Sequence, residues 1–379
     1  MDTQNASAEA RQNEQAAQPD QPGQPGQPEQ ATQLGQPGQP DQPAQQAHPG
    51  EATQTGHLLG AADIRRIAQE AGVSPTKKFG QNFVIDPGTV RRIVREAEVT
   101  AATPVMEVGP GLGSLTLAIL ETGAAMTAVE IDPPLAERLP QTVAEFMPEA
   151  SGRLTVVLHD ALTVQPADVP QFADGRPFRL VANLPYNVAT PIVLTLLERF
   201  ANLDSFLVMV QKEVADRLAA APGSKIYGTP SVKLAWYGTA ERAGVIGRNV
   251  FWPAPNVDSA LVRFRRHPAA AGYDPAERKA VFALIDAAFG QRRKTLHAAL
   301  KKLVPAGAFE AAGIDPTRRG ETLTIREFVA LAHAAGMAGK IDGTGSAAVT
   351  ADGRSAQPAT EPGESAESAP TASEEGTDA

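Results

Sequence analysis

Hydrophobic positions between residues 56 and 340 follow two alternating spacings. Short apolar runs, typical of buried strands, give way to stretches in which apolar residues recur every three or four positions, as on one face of a helix. The predicted strands cover 104–108, 124–129, 154–158, 178–182, 204–210 and 257–264. The predicted helices cover 58–70, 89–97, 114–121, 134–147, 191–200, 275–289, 292–303, 305–312 and 325–335. This alternation predicts an α/β fold with a parallel sheet and helices on both faces, followed by a small C-terminal helical domain.

The two ends of the chain lack this pattern. Residues 1–56 are rich in Gln, Pro and Gly, and residues 341–379 are rich in small residues and acids. Neither segment has enough apolar surface to offset the entropy of ordering, so both are predicted to be disordered. The predicted folded domains are therefore 57–268, which holds the strands, and 269–340, which is helical.

Charge is distributed unevenly along the chain. The net charge is −9, but acids dominate the two tails, whereas residues 56–340 have a positive excess that lies in 269–340. A basic cluster indicates a polyanionic partner, although a solvated surface remains an alternative for any one cluster. The chain has no cysteine, and its six His show no metal-binding spacing, so no metal is predicted. No secretory signal or membrane-spanning run is recognisable, and we expect a cytoplasmic protein without a membrane partner.

A polar tetrapeptide, Asn183-Leu184-Pro185-Tyr186, follows the predicted strand 178–182. Ligands bind at the carboxyl ends of strands in open α/β sheets. The Asn amide can both donate and accept hydrogen bonds, and the Tyr ring offers a flat face for stacking. Together they suit a planar base with an exocyclic amine. Taken alone, these four residues are equally compatible with a turn, since Asn-x-Pro commonly opens one.

A glycine-rich turn, Gly109 to Gly113, follows the first core strand and precedes a helix. Glycines there let the backbone turn tightly and approach a ligand closely. Glu130 ends the next strand, where a carboxylate suits a ribose diol, and Asp160 follows the third strand, where it could accept from an adenine amine. Each acid alone could equally be a helix cap or a turn residue. Glu107 disfavours a pyrophosphate but favours a cation, which indicates S-adenosylmethionine rather than NAD.

These motifs resemble those of the ribosomal RNA adenine N6-dimethyltransferase family. The matching segments run in order through about residues 57–335: 78–86, 107–113, 129–132, 160–162, 183–187, 251–255 with 257–259, and 289–296. The glycine-rich motif is common to methyltransferases, whereas Gln81-Asn82-Phe83, Asn183 to Asn187 and Arg292 to Lys294 are together specific. The resemblance implies a Rossmann-like S-adenosylmethionine-dependent methyltransferase sheet and S-adenosylmethionine as the cofactor.

The resemblance also implies a substrate and a partner. A monomer of this family would dimethylate the N6 amine of two adjacent adenosines in the 3′-terminal hairpin loop of small-subunit (16S) rRNA, with a role in small-subunit biogenesis. A large-subunit rRNA methyltransferase of the macrolide-resistance type, a DNA adenine methyltransferase and a non-catalytic ribosome-assembly factor remain alternatives. Tyr186 and the segment 292–294 favour the small-subunit enzyme. Intact Asn183, Glu130 and Gly109 argue against lost catalysis.

Residue roles in cofactor binding follow from the same resemblance. Asn82 and Val84 would cover the methionine end of the cofactor, although the family more often has Leu at the position of Val84. Gly109 would lie against the cofactor backbone. Glu130 would hold the ribose hydroxyls, and Asp160 the adenine amine. Asn183 would sit between the cofactor and the target base.

The resemblance places the target adenine at the tetrapeptide. The Asn183 side-chain oxygen and the Leu184 carbonyl would accept hydrogen bonds from its amine and free the nitrogen lone pair for attack. Pro185 fixes φ and so holds that carbonyl in place. Tyr186 and Phe251 would stack on the two faces of the base. Phe251 is expected in a surface loop rather than in the core, because the segment that it begins is rich in Pro.

Basic residues of the C-terminal region are the predicted RNA contacts. They are Arg292, Arg293, Lys294, Arg318 and Arg319. RNA would be held mainly through its phosphates and its shape. Three adjacent basic residues on one helix cannot share a face, so at least one of residues 292–294 is expected to pack or cap.

Overall fold

The structure, a computed structural model, describes residues 56–74, 82–268 and 272–337. The predicted disorder of residues 1–56 and 341–379 concerns, apart from Gly56, segments outside these ranges and stays a prediction. Across the described ranges, no helix has the length and apolar character needed to cross a membrane.

Helices and strands alternate through most of the described chain. The helices are α1 (Ala61–Glu70), α2 (Pro87–Glu96), α3 (Ser114–Glu121), α4 (Pro133–Phe146), α5 (Ala189–Arg199), α6 (Lys212–Leu218), α7 (Thr229–Tyr237), α8 (Arg278–Gly290), α9 (Leu296–Leu300), α10 (Ala306–Ala311) and α11 (Ile325–Ala334). The strands are β1 (Phe83–Val84), β2 (Val105–Val108), β3 (Met126–Glu130), β4 (Leu154–Leu158), β5 (Phe178–Asn183), β6 (Leu203–Gln211), β7 (Gly238–Ile246), β8 (Phe251–Trp252) and β9 (Ser259–Arg266). The predicted α/β fold is confirmed.

The central sheet has seven strands in the order β4-β3-β2-β5-β6-β9-β7. The pairs from β4 to β6 are parallel, whereas β9 runs antiparallel to both β6 and β7. The chain builds outwards from β2 to β4 and then returns to the other side of β2 with β5. That reversal of strand order opens a crevice at the carboxyl ends of β2 and β5, where ligands bind in such sheets.

The expectation of a parallel sheet fails at one edge, where β9 and β7 pair antiparallel. Strand β7, which sequence patterning missed, forms that edge and carries exposed charged side chains at Glu241 and Arg242. An edge strand with one solvated face lacks the apolar run of a buried strand. A register shift between Arg242 and Gly244 further obscures its alternation. The helices α6 and α7 were missed as well.

Two apolar clusters enclose the sheet. Alternate residues of β5 point to opposite faces, so that Leu180 belongs to one cluster and Val181 to the other. The Val181 cluster includes residues of α1 to α4, and the Leu180 cluster includes residues of α5. Leu284 of α8 and Phe328 of α11 join the Leu180 cluster, so the C-terminal helices share an apolar core with the sheet. The predicted domain boundary at 268 stays a prediction.

The segment around the three adjacent basic residues differs from the predicted helix 292–303. Arg292, Arg293 and Lys294 lie in a turn, and α9 begins only at Leu296. Thr295 caps that helix, since its hydroxyl accepts a hydrogen bond from the Ala298 amide. The apolar spacing therefore placed the start of the predicted helix four residues before the observed start at Leu296.

A short ribbon outside the sheet was also not predicted. Strands β1 and β8 pair antiparallel, with Phe83 opposite Trp252 and Val84 opposite Phe251. The Phe83 and Trp252 rings stack with their centroids 6.3 Å apart. This ribbon joins the segment before α2 to the loop before β9, and β1 lies at the crevice.

Candidate active site

A cavity of about 270 Å³ lies at the carboxyl ends of β2, β3, β4 and β5. Its wall contains every residue predicted to bind the cofactor: Asn82, Val84, Gly109, Glu130, Asp160 and Asn183. Leu184, Pro185 and Tyr186 line it as well. The residues predicted to bind the cofactor and those predicted to hold the target adenine therefore line one cavity, with the exception of Phe251.

The glycine-rich turn brings backbone against the cavity. Gly109 and Gly111 have φ angles of +69° and +59°, in the left-handed region that favours glycine. A Cβ added to Gly111 would lie 2.9 Å from the Phe83 ring. Phe83 therefore packs directly on the turn, and the Ser114 hydroxyl holds the same segment by donating to the Val84 carbonyl at 2.6 Å. Together these contacts fix β1 as a cover over the turn.

Glu130 is held by backbone groups. Its Oε1 accepts from the amides of Ile131 and Asp132 at 2.9 and 3.0 Å, and its Oε2 accepts from the Gly111 amide at 3.2 Å. Burial raises the pKa of Glu130, although these backbone hydrogen bonds oppose the shift. A carboxylate has about four lone-pair positions, so one remains for a ligand hydroxyl.

Glu107 departs from the sequence-based interpretation, which treated it as an anion. Only 1% of the residue is exposed, and its Oε2 accepts from the Thr116 hydroxyl at 2.6 Å. Burial raises the pKa of Glu107 to about 8, against the opposing effect of the Thr116 hydrogen bond, and nearby Glu130 adds to the rise. Glu107 is therefore mostly protonated at neutral pH in this structure.

Asp160 and Tyr186 complete the polar wall. The Leu162 amide donates to Asp160 Oδ1 at 2.8 Å, which orients that carboxylate at the end of β4. The Tyr186 hydroxyl shares a 2.7 Å hydrogen bond with Ser259 Oγ on β9, which anchors the ring. Burial raises the pKa of Tyr186, so the phenol stays neutral at physiological pH. Ser259 belongs to a segment that the family resemblance had already marked.

Asn183 carries an unusual polar atom. Its Nδ2 donates to the Asn82 carbonyl at 3.1 Å, whereas its Oδ1 is buried and has no hydrogen-bond partner. If the Asn183 amide were rotated by 180°, its Oδ1 would face the Asn82 carbonyl, and two acceptors would lie side by side. The Asn82 carbonyl therefore determines that Oδ1, and not Nδ2, lacks a partner. The Leu184 amide donates to the Met209 carbonyl at 3.0 Å and holds the backbone in place. A buried acceptor without a donor costs roughly 1–3 kcal/mol, which a ligand N–H would recover.

Phe251 does not lie in a surface loop, and that expectation is wrong. Only 3% of it is exposed, and it packs in the same apolar cluster as Val181. The reason is its pairing with Val84 in the β1–β8 ribbon, which draws the ring into the core before the Pro-rich stretch begins. It is not among the residues that line the cavity, so its stacking role stays a prediction.

The five predicted RNA contacts fall into two groups. Arg292 pairs with Glu321 at 2.8 Å and Arg318 pairs with Glu327 at 2.6 Å, so both brace the C-terminal helices. Within the run 292–294, Arg292 packs rather than projects, although the run lies in a turn and not on the helix from which that expectation was drawn. The remaining three are exposed and have no side-chain partner among the described residues: Arg293, Lys294 and Arg319. Sequence reasoning passed over Lys301 and Lys302, which are also exposed.

The acidic residues of the cavity wall indicate which kind of cofactor fits. The described residues that line the cavity include Glu107, Glu130 and Asp160 but no Lys or Arg. Such a wall suits a cationic nucleoside without phosphate, as S-adenosylmethionine is. Together with the strand order, it defines the class of Rossmann-like methyltransferases.

Comparison with known proteins gives the family. The model of the family described as "Ribosomal RNA adenine dimethylase" matches residues 73–335, well over half of the chain. The chain belongs to the ribosomal RNA adenine dimethylase family, as its sequence predicted. Family and fold imply an enzyme that uses S-adenosylmethionine.

Curated relatives agree with this assignment, and solved structures share the fold. The chain is 80% identical over 289 residues to the "Ribosomal RNA small subunit methyltransferase A" of Bifidobacterium longum (strain DJO10A), covering 74% of this chain and 94% of that protein. It is 60% identical over 280 residues to the protein of the same name in Leifsonia xyli, covering 73% and 98%. A dimethyladenosine transferase from Plasmodium falciparum shares the fold, with a TM-score of 0.56 and 22% identity over 67% of this chain and 98% of that one. So does the 23S rRNA methyltransferase ErmE, with a TM-score of 0.51 and 24% identity over 67% and 100%.

Proposed function

We propose that this enzyme dimethylates the N6 amine of two adjacent adenosines in the 3′-terminal hairpin loop of 16S rRNA. It acts on the small ribosomal subunit, in the cytoplasm and as a monomer. The observation that carries the proposal is the buried, unpartnered Oδ1 of Asn183 at the wall of the cavity. That atom needs an N–H donor, and an adenine amine provides one.

The cofactor is held by the wall described above. Glu130 accepts from the ribose hydroxyls, Asp160 accepts from the adenine amine, and the Asn82–Val84 segment covers the methionine end. S-adenosylmethionine, when bound, supplies an electrophilic methyl group. The backbone hydrogen bonds to Glu130 and Asp160 keep both carboxylates oriented before binding, which reduces the ordering that binding requires.

The target amine is prepared by two acceptors. Its nitrogen lone pair is delocalised into the ring, which makes it a poor nucleophile. Hydrogen bonds from its N–H groups to Asn183 Oδ1 and the Leu184 carbonyl pull the nitrogen towards tetrahedral geometry and free the lone pair. Because the Asn82 and Met209 contacts hold this pair of acceptors rigidly, alignment supplies most of the acceleration. The proton leaves for water after attack.

The base enters the cavity after leaving its stack in the RNA. Tyr186 lies at the cavity, and its ring is tethered through Ser259 to strand β9. Stacking of a base on an aromatic ring is worth roughly 1–3 kcal/mol. Because the hydrogen bond to Ser259 already holds the Tyr186 ring in place, stacking of the base does not incur the entropic cost of ordering that ring.

RNA outside the cavity is held by the exposed cations. Arg293, Lys294 and Arg319 have no competing partner among the described residues and are free to neutralise phosphates. Each phosphate contact releases condensed counterions, so affinity falls as salt rises. The paired Arg292 and Arg318 instead stabilise the turns that present these three cations.

The test is a choice of substrate. Purified small and large ribosomal subunits from cells that lack the enzyme are incubated with it and with labelled S-adenosylmethionine, and their RNA is digested for mass spectrometry. We expect dimethyladenosine at two adjacent positions near the 3′ end of 16S rRNA, and none in 23S rRNA. Dimethyladenosine confined to 23S rRNA would contradict the proposal in favour of the macrolide-resistance type. Absence of any methyl transfer would favour an assembly factor.

A further inference from the structure

Two buried carboxyls at the cavity have different surroundings. Glu130 accepts three backbone hydrogen bonds, which suits an ionised carboxylate. Glu107 is equally buried, but the structure gives it one donor, the Thr116 hydroxyl. A carboxylate with a single neutral donor is poorly compensated for its lost hydration. Glu107 is thus the acid whose charge depends on what enters the cavity.

Glu107 has no compensating cation among the described residues of the cavity wall. It lines the cavity from β2, and the described residues of the cavity wall include no Lys or Arg. The nearest charged neighbour is Glu130, whose field opposes ionisation. The positive charge that Glu107 requires must therefore come from the ligand.

We propose that Glu107 selects a cationic cofactor by releasing its proton to solvent when the positively charged methionine end of that cofactor binds. This rests on S-adenosylmethionine being the cofactor, as proposed above. The O–H bond of the carboxyl breaks, the proton passes to water or buffer, and the remaining carboxylate faces the incoming positive charge. A neutral nucleoside with the same adenine and ribose leaves the proton in place.

The consequence is a link between pH and affinity. Burial raises the pKa of Glu107 to about 8 in the free enzyme, and a nearby cation lowers it. Binding of a cation then releases a proton, so affinity for that cation rises with pH below the raised pKa. A neutral ligand causes no release and binds equally well across the same range.

Other titratable groups share the cavity and require controls. They are Glu130 on β3, His159 and Asp160 after β4, and Tyr186 after β5, whereas helix α3 lines the cavity with Ser114 and Leu115, neither of which titrates. His159 is the one imidazole among the described residues of the cavity wall and requires its own control. A His159→Gln variant separates its effect from that of Glu107.

The experiment is isothermal titration calorimetry on the full chain. S-adenosylmethionine and the neutral 5′-methylthioadenosine are titrated from about pH 5.5 to 7, below the range in which a free amino group titrates. Two buffers with different ionisation enthalpies report the protons released. For the unmodified protein we expect the dissociation constant for S-adenosylmethionine to fall about tenfold per pH unit, with nearly one proton released. For 5′-methylthioadenosine we expect no dependence on pH.

Two variants decide the assignment. Glu107→Gln keeps the shape but cannot ionise, so it should bind S-adenosylmethionine with a weak, pH-independent affinity close to that of the unmodified protein at the acid end. Its unchanged affinity for 5′-methylthioadenosine would show that it is folded. His159→Gln should retain the pH dependence.

Several results would overturn the inference. It fails if Glu107→Gln keeps the pH dependence, if His159→Gln loses it, or if the unmodified protein binds S-adenosylmethionine tightly without releasing a proton. In that last case the proposed cofactor survives and only the role of Glu107 is wrong. If S-adenosylmethionine does not bind at any pH, both the inference and the proposed function fail.

Discussion

The cavity wall and the basic C-terminal turns were both predicted from clusters of like-charged residues, but only the basic cluster has oppositely charged partners among the described residues. At the cavity, Glu107, Glu130 and Asp160 come together from three parallel strands, and no described Lys or Arg neutralises them there. In the C-terminal region, Arg292 and Arg318 are neutralised by Glu321 and Glu327. The acids at the cavity have no described Lys or Arg beside them, whereas the basic cluster uses part of its charge to hold the C-terminal turns together.

The difference lies in what positions each residue. Neighbouring parallel strands share a hydrogen-bonded register, so residues at their carboxyl ends meet at one edge whatever their side chains are. Turns between short helices have no such ladder, and side-chain ion pairs help to fix them. A charged residue at a strand end is therefore a better indication of a ligand than one in a turn.

Replacement of Gly111 should have the largest effect on ligand binding at the cavity. An Ala at φ +59° is strained by roughly 1–3 kcal/mol. Its Cβ also meets the Phe83 ring, which must move. We expect Gly111→Ala to weaken S-adenosylmethionine binding by about 100-fold, measured by calorimetry, since each factor of ten corresponds to 1.36 kcal/mol.

Gly175→Ala is the matched control for this change. Gly175 has a φ angle of +78°, but an added Cβ would have nothing within 4 Å. The variant should lose some thermal stability and keep its cofactor affinity. Equal affinities for the two variants would show that the glycine-rich turn does not contact the cofactor.

Glu130→Gln tests a single carboxylate of the wall. The change removes a charged acceptor for the ribose hydroxyls, and such hydrogen bonds are worth about 1.5–3 kcal/mol. We expect the dissociation constant for S-adenosylmethionine to rise by about tenfold or more. Glu137→Gln, at an exposed position on α4, should leave it unchanged. Unchanged affinity in Glu130→Gln itself would remove the ribose assignment.

Two adjacent arginines, Arg292 and Arg293, test the division of the basic C-terminal cluster into paired and unpaired residues. Arg292→Ala should lower the free energy of unfolding by about 1 kcal/mol, because it breaks the partly exposed pair with Glu321. Arg293→Ala should leave stability unchanged and weaken RNA binding. It should also reduce the slope of log affinity against log salt by about 1. The division of the cluster is wrong if both variants lose RNA affinity equally with no change in melting temperature.

The smallest effect concerns the pair of Arg318 and Glu327. Burial alone would raise the pKa of Glu327, but hydrogen bonds from Arg318 and Thr324 outweigh it and lower the pKa. A lowered folded-state pKa adds stability above the usual Glu range, which is lost as the pH falls through the folded value. Arg318→Ala should thus cost less than about 1 kcal/mol at pH 7 and less still at an acid pH where Glu327 is protonated, measured by urea unfolding. Arg319→Ala should match the unmodified protein at both values, and a constant difference for Arg318→Ala would contradict the linkage.

Sequence patterning could locate the wall because buried strands have clear apolar runs and strand ends are where ligands bind. It could not find the exposed edge strand β7, whose charged residues hide its alternation. Nor could it foresee the burial of Phe251, because a two-residue ribbon leaves no pattern in the sequence. The protonation of Glu107 was equally out of reach, since it depends on burial and on the single donor Thr116.

The central claim is that the free Oδ1 of Asn183 grips the target amine. It is tested most directly by single-turnover methyl transfer with Asn183→Ala, with saturating S-adenosylmethionine and immature small subunits. The account predicts a rate lower by about 100- to 1000-fold, comparable to removal of one preorganised hydrogen-bonding group at a reacting centre. The affinity for RNA should stay within a few-fold of that of the unmodified protein, and saturating S-adenosylmethionine offsets any change in cofactor affinity. Methyl transfer at the full rate by Asn183→Ala would contradict the account.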